Sequence, residues 1–164
     1  MKIAVASDHR GVKAIEQIRA IVAQLNHECL DFSLAGDGPV DYPDVAYLAA
    51  DAISTDKAER AILICGTGIG MSIAANKVKG VRAALCFDEL NAQLSRQQMD
   101  SNVLCLAGDL LGPSALCKIV ETWITTDFVG GRHQRRVNKI QSIEEGIDPR
   151  EREKIKVSGT LNAD

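Results

Sequence analysis

Cys65 ends the apolar run Ala61–Cys65 and stands directly before Gly66, Thr67, Gly68, Ile69 and Gly70. Glycines lack a Cβ, so the N–H groups of such a turn can close on a ligand. A helix starting at the turn adds unsatisfied N–H donors and the positive end of its dipole, which favour a phosphate or a thiolate. A thiolate facing N–H donors is equipped for proton abstraction beside a carbonyl. The sulfur takes the C–H proton, and the donors hold the oxygen as charge moves onto it. Two other groups point to the same chemistry. Asp8 and His9 put a carboxylate and an imidazole after the first apolar run. Arg132 and Arg136 follow the flexible pair Gly130-Gly131 and share one helical face, as a phosphate clamp requires. Their segment lies outside the core pattern and so can reach the site of a neighbouring subunit.

Each feature has a plainer reading. Cys65 alone is best read as a small buried strand cysteine. Polar residues at strand ends, here Asp8, His9, Asp88 and Asp109, are ordinary turn formers. Arginines are common on the solvated surface of an acidic protein. The glycine turn also matches part of a dinucleotide fingerprint. Gly66 and Gly68 take its first and third positions, and Asp88 lies where a ribose-binding acid belongs, roughly 20 residues on. The sixth position, however, is Met71, and the turn follows the third strand rather than the first.

Short β-branched apolar runs alternate with amphipathic segments, which predicts strands over 2–7, 28–32, 60–65, 81–86 and 102–108. Helices are predicted over 11–25, 44–54, 70–78, 89–99 and 113–124. That alternation requires a parallel sheet with right-handed crossovers and helices on both faces, and ligands at the carboxyl ends of its strands. Cys65, Asp8, His9, Asp88 and Asp109 all fall at such ends. After Phe128 the apolar density drops to one stripe of Val137, Ile140 and Ile143, suited to a helix lying across a neighbour. The organisation expected is one domain over 1–148 and a charged, flexible tail over 149–164.

The 164 residues are 46% apolar and 25% charged, as in soluble globular proteins. A net charge of −3 leaves nothing broadly basic for nucleic acid, and no apolar run reaches a membrane span. The five cysteines include no CxxC pair and the three histidines have no metal-ligand spacing. A reduced, cytoplasmic compartment with no structural metal follows, with most cysteines as small core residues.

Taken together, these residues resemble the type B ribose-5-phosphate isomerases, which are grouped with the galactose-6-phosphate and allose-6-phosphate isomerases. The likeness runs from KIAVASDHRG through DYP, ILICGTGIGMSIAANKVKGVRAAL and AQLSRQ to GGRHQRRV. It implies an α/β, Rossmann-like three-layer sandwich with a five-stranded parallel sheet. It also implies a homodimer or dimer of dimers with interface active sites and a C-terminal helix reaching the partner. The implied reaction is aldose–ketose isomerisation of a ribose-5-phosphate-like sugar through a cis-enediolate, with no metal and no cofactor. Cys65 becomes the base and Thr67 its neighbour for oxygen protons. Gly66, Thr67, Gly68, Ile69 and Gly70 form the enediolate cradle. Asp8 contacts hydroxyls and shuttles a proton, Tyr42 lines the pocket, and His9, Arg132 and Arg136 hold phosphate.

Three positions depart from the resemblance. The family's His-Asn pair, for ring opening and enediolate support, is here Gln98 and Met99, neither of which is an acid or base near neutral pH. The arginine that helps bind phosphate after the fifth strand is here Asp109, whose charge repels one. The alternatives these leave are an open-chain sugar phosphate, a substrate charged elsewhere or uncharged, a hetero-oligomer whose other subunit supplies the histidine, and a sugar-phosphate-binding protein without turnover.

Overall fold

The computed structural model describes residues 1–34 and 38–151. Five strands, β1 (Lys2–Ser7), β2 (Glu28–Asp31), β3 (Arg60–Cys65), β4 (Ala83–Leu85) and β5 (Val103–Ala107), form one sheet in the order β2-β1-β3-β5-β4. All four pairings are parallel. The helices are α1 (Val12–Gln24), α2 (Tyr42–Ser54), α3 (Ile69–Ala75), α4 (Glu89–Met99), α5 (Pro113–Thr125) and α6 (Arg132–Glu144). The α/β sandwich read from the sequence is therefore the observed architecture.

Side-chain alternation divides the interior into two clusters. Ile3, Val5, Ile62, Ile64, Leu104 and Leu106 face α1 and α5. Ala4, Ala6, Ala61, Leu63, Cys65, Val103 and Cys105 face α2 and α3. Both faces of the central strands are covered, which is why RAILIC is apolar without a break. The second face is rich in alanine, and α2 meets it with Ala46, Ala49, Ala50 and Ala52, so that layer packs closely. α2 begins at Tyr42 rather than 44, because Pro43 fits the first turn and Asp41 takes the extended cap position.

β4 has three residues instead of the six expected. It is an edge strand, and the Asn76 amide occupies its outer side, accepting from the Ala83 N–H and donating to the Ala83 C=O at 2.9 Å each. Beyond α5, α6 packs against α4, as a narrow stripe predicts. Its buried residues, however, are His133, Val137 and Ser142, while Ile140 and Ile143 are exposed. Of the tail expected over 149–164, only 149–151 are described; the rest lies outside the described residues. No helix among the described residues is long and apolar enough to cross a membrane.

Candidate active site

β1 leads through α1 to β2 on one side, whereas β3 leads through α3 to β4 at the opposite edge. Adjacent strands whose connections diverge leave a crevice at their carboxyl ends. Asp8 follows β1 there, and Cys65 ends β3. Backbone bonds tie the three central strands together just past the sheet. The Asp8 N–H donates to the Ile64 C=O at 3.3 Å, Gly108 N–H to Cys65 C=O at 2.8 Å, and Asp109 N–H to Gly66 C=O at 3.1 Å.

Cys65 is buried on the α2–α3 face, and the Gly68 N–H donates to its Sγ at 3.1 Å. Gly68 is required twice over. Its φ is +71°, and a Cβ would lie 2.9 Å from the Leu106 carbonyl carbon and 2.5 Å from Leu85 Cδ1. Thr67 and Ile69 are exposed beside the sulfur, with the Ile69 N–H 3.4 Å from Thr67 Oγ1. α3 has only seven residues, so what it brings is the N–H groups of its first turn rather than the dipole of a long helix. Burial, with a smaller push from the Asp88 charge and a Ser95 hydrogen bond opposing, raises Cys86 to about 11, and its Sγ donates toward the Ala84 C=O. Burial also drives Cys105 well up. Of the five cysteines, Cys65, Cys86 and Cys105 are buried and Cys29 and Cys117 half-buried, so most are core residues as the sequence suggests.

Asp8 is buried, and its Oδ1 accepts the Arg10 N–H at 2.9 Å. His9 is exposed, with Nδ1 3.2 Å from the Val40 C=O; a carbonyl only accepts, so Nδ1 carries the proton in this contact. The Tyr42 ring lies over Gly70, where a Cβ would meet it at 2.6–2.9 Å. Asp109 does not stand as a lone negative charge at the end of β5. It forms an ion pair with Arg10, and the two side chains sit directly on Gly66.

A family model described as Ribose/Galactose Isomerase matches residues 3–140. The chain belongs to the ribose/galactose isomerase family. Ribose-5-phosphate isomerase B of Escherichia coli is 40% identical over 88% of this chain and 97% of its own length. The D-erythrulose-4-phosphate isomerase of Pectobacterium atrosepticum is 39% identical over 85% of this chain and 93% of its own. The solved ribose-5-phosphate isomerase B of Clostridium thermocellum superposes with a TM-score of 0.86 at 42% identity, over 89% of this chain and 99% of that one.

Within this member of the family, the residues expected at the site fall into two groups. Asp8, His9, Tyr42, the 65–70 turn and Asp109 gather at the crevice. Gln98 and Met99 lie at the C-terminal end of α4, where the Met99 C=O accepts from Arg82 Nε just ahead of β4. Arg132 and Arg136 start α6, which packs on α4 and lines a cavity of about 230 Å³ with Gly80, Arg82 and Asp100. Those residues precede β4 and β5, so α6 lies toward the opposite end of the sheet from Cys65. Asp88 is an N-cap, its Oδ1 accepting the Asn91 N–H at 2.6 Å. β5 stands between β3 and β4, so Asp88 does not follow the strand next to β3 as a dinucleotide site demands. Arg10 is the crevice residue that sequence reasoning missed. Its signal, an arginine between His9 and Gly11, gains meaning only when β5 brings Asp109 against it.

Proposed function

We propose that this aldose–ketose isomerase acts on a short phosphorylated sugar, with Cys65 as base and a cis-enediolate as intermediate. The observation that carries the reading is the approach of the Gly68 N–H to Cys65 Sγ at 3.1 Å, inside a turn opened by glycines. The thiolate takes the proton from the carbon beside the carbonyl. The C–H electron pair becomes the C1–C2 double bond, and the carbonyl pair moves to oxygen. N–H groups from Gly66 through Gly70 hold that oxygen. Thr67 and Asp8 carry the proton between O1 and O2, and Cys65 returns its own to the other carbon, so substrate and product differ only in where one hydrogen pair resides. Tyr42 walls the pocket. His9 takes the phosphate together with Arg132 and Arg136 of a second copy, whose α6 reaches across a homodimer interface.

Gln98 and Met99 favour a substrate that is already open-chain. A four-carbon sugar carrying its phosphate on O4 has no hydroxyl left to close a five-membered ring, so no group is needed to open one. Similarity to the Pectobacterium enzyme supports that class. Similarity to ribose-5-phosphate isomerase B supports a five-carbon substrate as the second reading. A coupled screen of four-, five- and six-carbon aldose and ketose phosphates tests both. Turnover confined to compounds that cannot cyclise is the expected result. Melting shifts without turnover of any compound would replace the isomerase with a binding protein, and full activity in Cys65→Ala would remove Cys65 as the base.

A further inference from the structure

We propose that Arg10, seated by Asp109, is a phosphate-binding cation that this chain supplies to its own crevice. The inference rests on the reading of a phosphorylated substrate given above. Arg10 meets Asp109 Oδ2 through Nη2. The pair lies against the backbone of the reacting turn: a Cβ on Gly66 would come within 2.6 Å of Asp109 Oδ2, 2.9 Å of Arg10 Nε and 3.1 Å of Arg10 Cδ. Its main chain is fixed as well, since the Arg10 N–H is bonded to the Asp8 carboxylate at 2.9 Å. One residue thus touches the strand ends of β1, β3 and β5 at once.

Three properties make this cation a ligand group rather than a structural strut. The Arg10 side chain is 58% exposed, and an ion pair so open to water contributes little to folding. A guanidinium has five N–H donors in a rigid fork, and a carboxylate meeting Nη2 does not saturate it. The pair also borders a cavity of about 520 Å³ that His9 and Lys13 line with it, so three basic side chains face one acid there. An arginine on a free stem samples many rotamers, and Asp109 selects the one that rests on Gly66. Asp109 is accordingly a positioning residue: its charge orients the guanidinium, and the phosphate meets the cation instead of the carboxylate.

The test compares Arg10→Ala, Asp109→Asn and the double variant Arg10→Ala/Asp109→Arg. For a turned-over sugar phosphate, Arg10→Ala is expected to raise KM by about 10–100-fold, the scale of one hydrogen-bonded charge contact, with the loss falling on KM more than on kcat. Asp109→Asn raises KM by less, and the double variant, which returns a guanidinium from the other side of the pair, recovers most of the affinity. The four-carbon ketose without its phosphate, on which no hydroxyl is placed to close a five-membered ring, is expected to lose less than the phosphorylated sugar in each variant. A KM in Arg10→Ala within twofold of the native value overturns the proposal, as does an equal loss on phosphorylated and unphosphorylated sugar. Should Arg10→Ala not fold, Arg10→Gln gives the same comparison. Calorimetric titration with the open-chain acids erythronate 4-phosphate and ribonate 5-phosphate separates this inference from the isomerase reading. Arg10-dependent binding without turnover keeps Arg10 and discards the isomerase; turnover with Arg10-independent binding does the reverse.

Discussion

Gly68→Ala separates the turn's structural role from its chemical one when it is paired with Gly80→Ala. Both glycines have left-handed backbone, φ +71° and φ +80°. A Cβ on Gly80 meets nothing within 4 Å, so Gly80→Ala reports the conformational cost alone, roughly 1–2 kcal/mol. On Gly68 the same cost is joined by overlap with the Leu106 backbone at 2.9 and 3.0 Å, which cannot swing aside as a side chain does. Overpacking of that kind adds roughly 1–3 kcal/mol. The entropy that alanine removes from the unfolded chain is common to both variants and cancels in their difference. For a chain of this length about 1 kcal/mol moves Tm by roughly 2–4 °C. Gly80→Ala should therefore melt about 2–8 °C low and Gly68→Ala about 4–20 °C low. Only Gly68→Ala shifts the N–H that meets Cys65 Sγ, and the loss of an N–H donor at a developing charge costs about 10²–10³ in kcat. Calorimetric melts and exchange of solvent deuterium into the product read the two effects. Equal melting of the variants would show that Leu106 is not the wall described above. Native kcat in Gly68→Ala would show that its N–H takes no part in the chemistry.

Cys65→Ala should lower kcat by about 10²–10⁴-fold. In the native protein, alkylation of Cys65 should be slowed by sugar phosphate, while the raised thiols Cys86 and Cys105 stay unmodified at pH 8, as peptide mass mapping would read. His133 is held below its ordinary value, first by burial and then by the charges of Arg132 and Arg136. Its stabilising contribution is complete above the unfolded value of about 6.5 and is lost as pH falls toward the folded one, because there the unfolded chain binds the extra proton. Tm should drop between pH 7.5 and pH 5, and by less in His133→Gln. Mixing inactive Cys65→Ala with inactive Arg132→Ala/Arg136→Ala protein should restore about a quarter of native activity if arginines cross a two-fold interface, since half the random pairs then hold one intact site of two. No recovery after confirmed subunit exchange would return those arginines to a solvated surface role.

What could be read from the sequence was whatever local pattern decides. RAILIC is apolar throughout, and it is the buried strand between two others; GTGIG follows it, and it is the turn over the sheet end. Residues set by contacts distant in sequence were not legible. Asp109 reads as a repelling charge until β5 pairs with β3 and lays it against Arg10. β4 reads as six residues because periodicity does not register that Asn76 will occupy its outer edge. Of the stripe Val137, Ile140, Ile143, only Val137 is buried within the chain. The Val129 N–H, bonded to the Gln97 C=O, ties the entry of α6 onto α4, and α6 buries His133 and Ser142 beside Val137, which an apolar stripe does not register.

The two groups of site residues also differ in what a substitution costs. At the crevice, Gly68 is walled by backbone and Gly70 by an aromatic ring, and the backbone bonds of Asp8, Gly108 and Asp109 join three strand ends into one unit. A change there disturbs the sheet as well as the chemistry, and this rigidity keeps N–H donors aimed before any substrate arrives. At the end of α4 neither constraint operates. Met99 is 36% exposed and Gln98 is half-buried, so histidine, asparagine, glutamine or methionine there leaves the core untouched. Arg10 is open to water in the same way. On the function proposed above, proton transfer then rests on the least tolerant residues of the site, and ring opening and phosphate placement rest on its most tolerant ones. If Gln98, Met99 and the Arg10–Asp109 pair act as proposed, exchanging them changes which sugar is accepted without loosening the turn that carries Cys65.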